Sequence, residues 1–466
     1  MRVTLSKRDG RCLFDQLVLP ASIRAFFGRP PVLVGDLTKT GLVTLYDVRH
    51  SGPGLGRVTP GSLLFPVSRV WPMGFSWSSF VAQSTMTAVC RTAGLPADAQ
   101  MSDCSRAPIS QTRWGLATDD VCVFSREEDS HVRQKLSRLD RAFVQHRIVR
   151  NEAKDLTHEL NGTAVGIDLV DGLHLYASQP KLVKLLPALV WLLGLAATTP
   201  RSIERVLGHI DWFNLLNRPL FAVLDKSYDF ARMEPANGPR PLPDGVKREM
   251  AVVIALALEW SFDLDTPWAS ELVATDASTT FGFGVARRRC TTTEARAIGR
   301  LSEKRGDFIA LLPDRHDDAG QRKRLGTPHL LQVRQSAFRT VLSIPARAPA
   351  HATLLEAHGV RLALEWIARS PAKHQKRIVL LVDSKAVLGA VCKGRSGSGL
   401  LQGIVRRAGA LALAAGLRLH CVYIPSEHNP ADHPSRGMPI PEARRKPSTR
   451  AAGKALQQRH GRHHGR

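Results

Sequence analysis

The sequence is short of cysteine, of acidic residues and of long apolar runs, and each shortage excludes something. Its seven cysteines are scattered, with no Cys-x-x-Cys pair. That excludes a disulfide framework and a zinc ribbon, and it fits a reducing, intracellular compartment, cytoplasmic or nuclear. No apolar run approaches the roughly 20 residues of a membrane span. The longest, around 185–198, contains Pro187 and reads as a core helix. Residues 1–10 carry charge and no apolar stretch, so no secretory signal is visible. There is no internal repeat. Acidic residues number 41 against 65 lysines and arginines, a net charge of +24. A chain this basic draws polyanions through counterion release, so nucleic acid is the expected partner and a membrane is not. Nothing in the sequence sets an oligomeric state.

What is present is enough for two to four domains: 466 residues, 43% of them hydrophobic. The class expected is α+β and α/β. Residues 1–125 mix short apolar runs with Gly and Pro turns. Residues 126–231 are helical in pattern, with Val132, Leu136, Leu139 and Phe143 at helix spacing. The stretch RMEPANGPRPLPDG has the composition of a linker, placed at 232–250. Residues 251–440 alternate strands and helices, and 441–466 form a basic tail expected to be disordered.

Four acids in the second half share a setting. Ile378–Val382 is an unbroken apolar run, the mark of a strand buried on both faces. Asp383 ends it, where α/β sheets place ligands. Asp276 follows Leu272, Val273 and Ala274 in a weaker version of the same pattern. Glu356 lies on a helix expected over Ala352–Ala368, one residue off the face that buries Leu355, Val360, Ala363, Leu364 and Ile367. Asp432 sits in the loop IPSEHNPADHPSRG, after a helix over Gly399–Ala415 and a strand over Leu417–Ile424. Each acid alone reads as a solvated end. Converging on one sheet edge, they repel one another unless a cation is bound. Oxygen ligands favour Mg²⁺ or Mn²⁺. Two such ions about 4 Å apart carry out in-line displacement at phosphorus.

The order strand–Asp, helix–Glu, strand–Asp and a final NPAD loop resembles the ribonuclease H domain of retroelement reverse transcriptases. HATLLEAHGVRLALEW resembles that family's Glu-bearing helix, and HNPADHPSR resembles its ending. The resemblance implies that Asp276, Glu356, Asp383 and Asp432 are catalytic metal ligands and that His428 stands for a mobile histidine assisting product release. The interval from Asp276 to Glu356 is longer than the family needs, and a basic insertion over 288–348 is expected to account for it.

Upstream, RVWPMGFSWSSFVAQ resembles a reverse-transcriptase palm motif, which implies substrate-binding roles for Gly74 and Gln83. GLATDDVCVFS resembles the YxDD hairpin, with Asp119 and Asp120 as metal ligands and Ala117 in the place of the tyrosine. DGRCLF fits the first palm motif, with Asp9 as metal ligand and Phe14 as the ring that excludes a ribose 2′-OH. Asp36 and Asp47 compete with Asp9, because they lie nearer the PMGFSW stretch. GTAVGIDLVDGLHLY resembles a primer-grip hairpin. TPRSIERVLGHIDWFNLLNRPLF resembles thumb helices packed through Ile203, Val206, Leu207, Ile210 and Phe213.

The resemblance implies a DIRS-like or LTR-type retrotransposon enzyme: a partial palm and thumb followed by a ribonuclease H-like mixed-sheet domain, acting on RNA–DNA hybrids and DNA or RNA templates. Eight residues precede Asp9, where the family has its fingers, so the chain reads as a frame truncated at its start or continued upstream. That and Ala117 weigh against polymerisation, while the four nuclease acids favour cleavage. The alternative is a catalytically inactive nucleic-acid-binding relic.

Overall fold

The computed structural model describes residues 2–52, 54–103, 105–303, 306–312 and 326–441. The chain divides into two units: Met1–Ser102 with Pro108–Val165 and Leu169–Gly172, and the remainder, chiefly from Leu173 onward.

In the first unit, β1 (Thr4–Asp9) runs TLSKRD, a polar strand without an apolar alternation. It is held because its neighbours supply acids: Lys7 pairs with Asp120 at 3.0 Å and Arg8 with Asp140 at 2.7 Å. After β1 come the single turn α1 (Leu13–Gln16) and the longer α2 (Ser76–Thr92). A hairpin of β2 (Thr112–Ala117) and β3 (Asp120–Ser125) leads to α3 (Asp129–Gln145) and β4 (Leu156–Glu159). The sheet order is β2-β3-β1-β4, with each neighbouring pair antiparallel. Val132, Leu136, Leu139 and Phe143 form one stripe of α3 and pack with Met86 and Val89 of α2 against Trp114, Val121 and Val123 of the hairpin.

The second unit begins with helices α4 (Gln179–Leu193), α5 (Pro200–Asn214) and α6 (Asp244–Ala255). Thr199 caps α5 by accepting from Ser202 N at 3.1 Å, and Pro200 opens it. The stretch 232–250 does not separate two bodies. Leu242, Val246 and Met250 share one core with Leu189, Ile203, Ile210 and Phe213. Its prolines and glycine therefore turn the chain inside a helical layer, and the division falls near 165–173 instead.

The same unit contains a seven-stranded mixed sheet. Its strands are β5 (Trp268–Ala277), β6 (Gly282–Arg289), β7 (Phe308–Leu312), β8 (Pro328–Arg334), β9 (Arg339–Pro345), β10 (Arg377–Val382) and β11 (Arg418–Tyr423). They lie in the order β8-β7-β11-β10-β5-β6-β9. β10 is parallel to both β5 and β11, whereas β5–β6 and β6–β9 are antiparallel. The apolar run of β10 is explained by its place. Ile378, Leu380 and Val382 enter one core, and Val379 and Leu381 enter the other.

Helices α8 (Ala352–Ala368), α9 (Lys385–Lys393) and α10 (Gly399–Ala414) cover the first of these faces, and α7 (Thr292–Gly299) covers the second. The expected insertion over 288–348 is thus built into the sheet. It supplies α7, β7, β8 and the edge strand β9, and Ile298 of α7 with Ile309 and Leu311 of β7 are core residues. Its residues 304–305 and 313–325, and the tail from 442, lie outside the described residues. Among the described residues, no helix is long and apolar enough to cross a membrane.

Candidate active site

Two clusters of carboxylates stand out, one in each unit. In the second unit, Asp276, Glu356 and Asp383 each place an oxygen within 4.8 Å of the others. Strand pairing explains two of them. Thr275 lies beside Val382 in the parallel β5–β10 ladder, so the residues that follow, Asp276 and Asp383, meet at the same sheet edge. Glu356 arrives on α8. Gly359, one turn further on, lets that helix approach closely: a Cβ there would meet Thr275 Oγ1 at 2.9 Å and Asp276 O at 3.3 Å.

Asp276 is buried and accepts a hydrogen bond from Ser435 Oγ. Ser435 belongs to the single turn α11 (Asp432–Ser435). That turn sits directly on β6, where a Cβ on Gly284 would come within 2.4 Å of Ala431 O. Asn429 fastens the approach, donating to Thr275 O at 3.0 Å and accepting from Ala431 N at 3.1 Å.

Burial, then the charge of Asp383, pushes Asp276 up to about 8. Burial, then Asp383 and Asp276, pushes Glu356 up to about 9. Asp383 Oδ1 is buried without a hydrogen-bond partner. Three carboxylates, no nitrogen or sulfur donor and one unsatisfied oxygen fit a hard divalent cation such as Mg²⁺ or Mn²⁺.

Asp432 is not a loop acid: it opens α11. Its Oδ1 is held by Arg436 at 2.8 and 3.1 Å, and it lies outside the three-acid cluster. It is near enough for its charge to raise both Asp276 and Glu356. His428 lies in a short 3₁₀ turn, Ser426–His428, on the same loop.

In the first unit the acids brought together are Asp9, Asp119 and Asp120. Asp9 and Asp120 are register partners across β1 and β3. Asp36 and Asp47 are engaged elsewhere. Asp36 pairs with Lys39 at 3.0 Å, and Asp47 completes a capping box with Thr44. The turn between β2 and β3 holds Thr118 at φ 60, an unfavourable conformation for a β-branched residue. Gln83 of α2 braces it, accepting from Thr118 N at 2.8 Å and donating to Leu116 O at 3.2 Å. Gln83 thus holds the backbone of the acid-bearing hairpin.

Phe14 on α1 is half-buried against the first unit's core, and Gly74 turns the chain at φ 95 just before α2. Two cations occupy the cluster: Lys154 lies 2.8 Å from Asp9 and Lys7 lies 3.0 Å from Asp120. Burial is the main cause raising Asp119, with Asp120 and Asp9 adding to it. The donor set suits the same cations, but here a divalent ion has to compete with two lysines.

Sequence reading passed over Ser435, Asn429, Gly359, Lys7 and Lys154. Asn429 and Ser435 lie inside the HNPADHPSR motif, so a signal was present. Lys154 carries none, because its partner lies far back in the chain at Asp9.

No family model matches the chain, and comparison with curated proteins finds no match. Among solved structures the chain is similar to a foamy viral protease-reverse transcriptase in complex with double-stranded DNA, with a TM-score of 0.40 and 10% identity over 91% of this chain. The chain spans 57% of the length of that structure.

Proposed function

We propose that the Asp276–Glu356–Asp383 cluster hydrolyses phosphodiester bonds in nucleic acid, with the RNA strand of an RNA–DNA hybrid as substrate. In this reading the chain is a retroelement reverse transcriptase–ribonuclease H. Residues 1–125 correspond to palm, 126–231 to palm end and thumb-like helices, and 251–440 to the ribonuclease H-like domain. One observation carries the reading: three carboxylates from two adjacent parallel strands and a helix meet at one point, and Asp383 Oδ1 has no partner there.

A bound pair of Mg²⁺ or Mn²⁺ ions would supply a nucleophilic water and charge neutralisation at the leaving oxygen. The protein's own part is positional. Asp276 is fixed by Ser435, and Asp383 by the end of a fully buried strand. Glu356 is fixed by a helix seated through Gly359. Asp432 is restrained by Arg436, from which it must turn to act as a further ligand. Without a cation, Asp276 and Glu356 keep protons at neutral pH.

The test is cleavage of labelled hybrid by wild type, Asp383→Asn and Asp432→Asn across Mg²⁺ and Mn²⁺ titrations. Asp383→Asn should abolish cleavage. Asp432→Asn should retain hybrid binding, lose most of the rate and recover part of it in Mn²⁺. Wild type that binds hybrid and cuts it in neither metal refutes the nuclease and leaves the binding relic.

For the first unit the relic reading is the stronger one. Lys154 and Lys7 pair with Asp9 and Asp120 in place, so two of the three acids are neutralised without a cation and a metal has to displace those lysines. Extension of a primed template is the corresponding assay, and none is expected.

A further inference from the structure

Arginine is concentrated at the end of β6 away from Asp276. Arg287, Arg288 and Arg289 close that strand and Arg339 opens β9; together with Ala337 they line a cavity of about 330 Å³. Arg287 and Arg339 are directly opposed across the antiparallel pair, an arrangement that like charges disfavour. Arg288 has an acid, Glu294, at 2.6 and 3.2 Å. Arg287 lies 3.5 Å from Glu271, which Lys373 takes more closely at 2.6 Å. Arg289 faces Glu271 in register, yet no ion pair joins them, and Arg339 has no acidic partner among the described residues. Five cations therefore share two carboxylates, and the two exposed arginines are those left over. Such an excess leaves a local positive potential, which attracts an anion.

We infer that this cavity is a second phosphate site, separate from the carboxylate cluster, which grips the phosphodiester backbone of a bound nucleic acid. Guanidinium groups bind phosphate oxygens in a bidentate fork. The volume admits a phosphate group with several waters, at about 30 Å³ per water. Position supports a nucleic acid over a free anion. Asp276 lies opposite Gly284, so Arg287–Arg289 stand three to five residues further along β6. That is roughly 10–17 Å at strand spacing, the axial span of about three to five phosphates of one strand. The inference rests on the nucleic-acid reading above but not on cleavage.

The experiment uses the full chain carrying Asp383→Asn, which binds without cutting. Its affinity for RNA–DNA hybrid is measured by fluorescence anisotropy across a salt series, with and without Arg289→Ala and Arg339→Ala together. Removing one phosphate–guanidinium interaction lowers the log–log salt slope by about 0.9, so the double variant should lose about 0.9 to 1.8. Arg289→Lys with Arg339→Lys should restore the slope. Circular dichroism and the unfolding midpoint show that both variants fold. An unchanged slope in the folded alanine variant overturns the inference. So does stabilisation of the parent by inorganic phosphate that the alanine variant loses while its hybrid slope stays unchanged, because the site then takes only a small anion. A lower slope in a protein whose wild type never cuts keeps this site and removes the nuclease. Normal cleavage with an unchanged slope does the reverse.

Discussion

Replacing Asp383 by asparagine should stabilise the cation-free protein, and only at high pH. In the unfolded chain, Asp276 and Glu356 ionise in the ordinary carboxylate range, near pH 4. Folded, Asp276 keeps its proton to about pH 8 and Glu356 to about pH 9. The folded state binds more protons between these limits, so stability falls as pH rises from about 5 to 9. Both acids are raised, so both contribute to that fall. Burial is the larger cause and asparagine does not relieve it. The Asp383 charge is the next cause, and asparagine removes it. For oxygens within 4.8 Å, an effective dielectric near 20 gives a repulsion of at least about 3.5 kcal/mol. The assay is differential scanning fluorimetry of wild type and Asp383→Asn in chelator from pH 5 to 9. The midpoints should agree near pH 5, and the variant should be several degrees higher at pH 9. Millimolar Mg²⁺ should raise the wild-type midpoint at pH 9 more than that of the variant. A difference that is constant with pH, or a variant less stable at pH 9, would refute the argument that the Asp383 charge opposes ionisation of the other two acids.

Ser435→Ala removes the hydroxyl that donates to Asp276. It should cost about 1–3 kcal/mol in thermal or urea unfolding and push Asp276 higher still, shifting the pH dependence of cleavage upward. Gly359→Val forces a side chain against Thr275 Oγ1 and Asp276 O. It should cost about 1–3 kcal/mol as overpacking and reduce cleavage more than hybrid binding, read as separate rate and anisotropy measurements. Lys154→Met frees Asp9 from its ion pair and should tighten Mn²⁺ binding at the first cluster, measurable by calorimetry in an Asp383→Asn background. Deleting residues 441–466 should flatten the salt dependence of hybrid binding by about 0.9 for each phosphate the tail neutralises.

Local pattern alone determined much of this protein. The run Ile378–Val382 reads as a strand buried on both faces, because it is short, wholly apolar and rich in β-branched residues, and the two cores take its residues alternately. The stripes of α3 and α8 likewise followed from their spacing. The acids at the strand ends were visible because an acid that stops an apolar run has few roles. Other features needed the folded chain. TLSKRD has no strand signal, and it is a strand because acids from β3 and α3 neutralise it. The prolines of 232–250 looked like a divider, but Leu242, Val246 and Met250 tie that stretch into a single core. The supposed insertion extends the sheet. Periodicity is set by a residue and its near neighbours, through backbone geometry and burial. Charge pairing and close approach are set by partners more than a hundred residues away, such as Ser435 on Asp276 and Lys154 on Asp9, and only the tertiary structure brings those together.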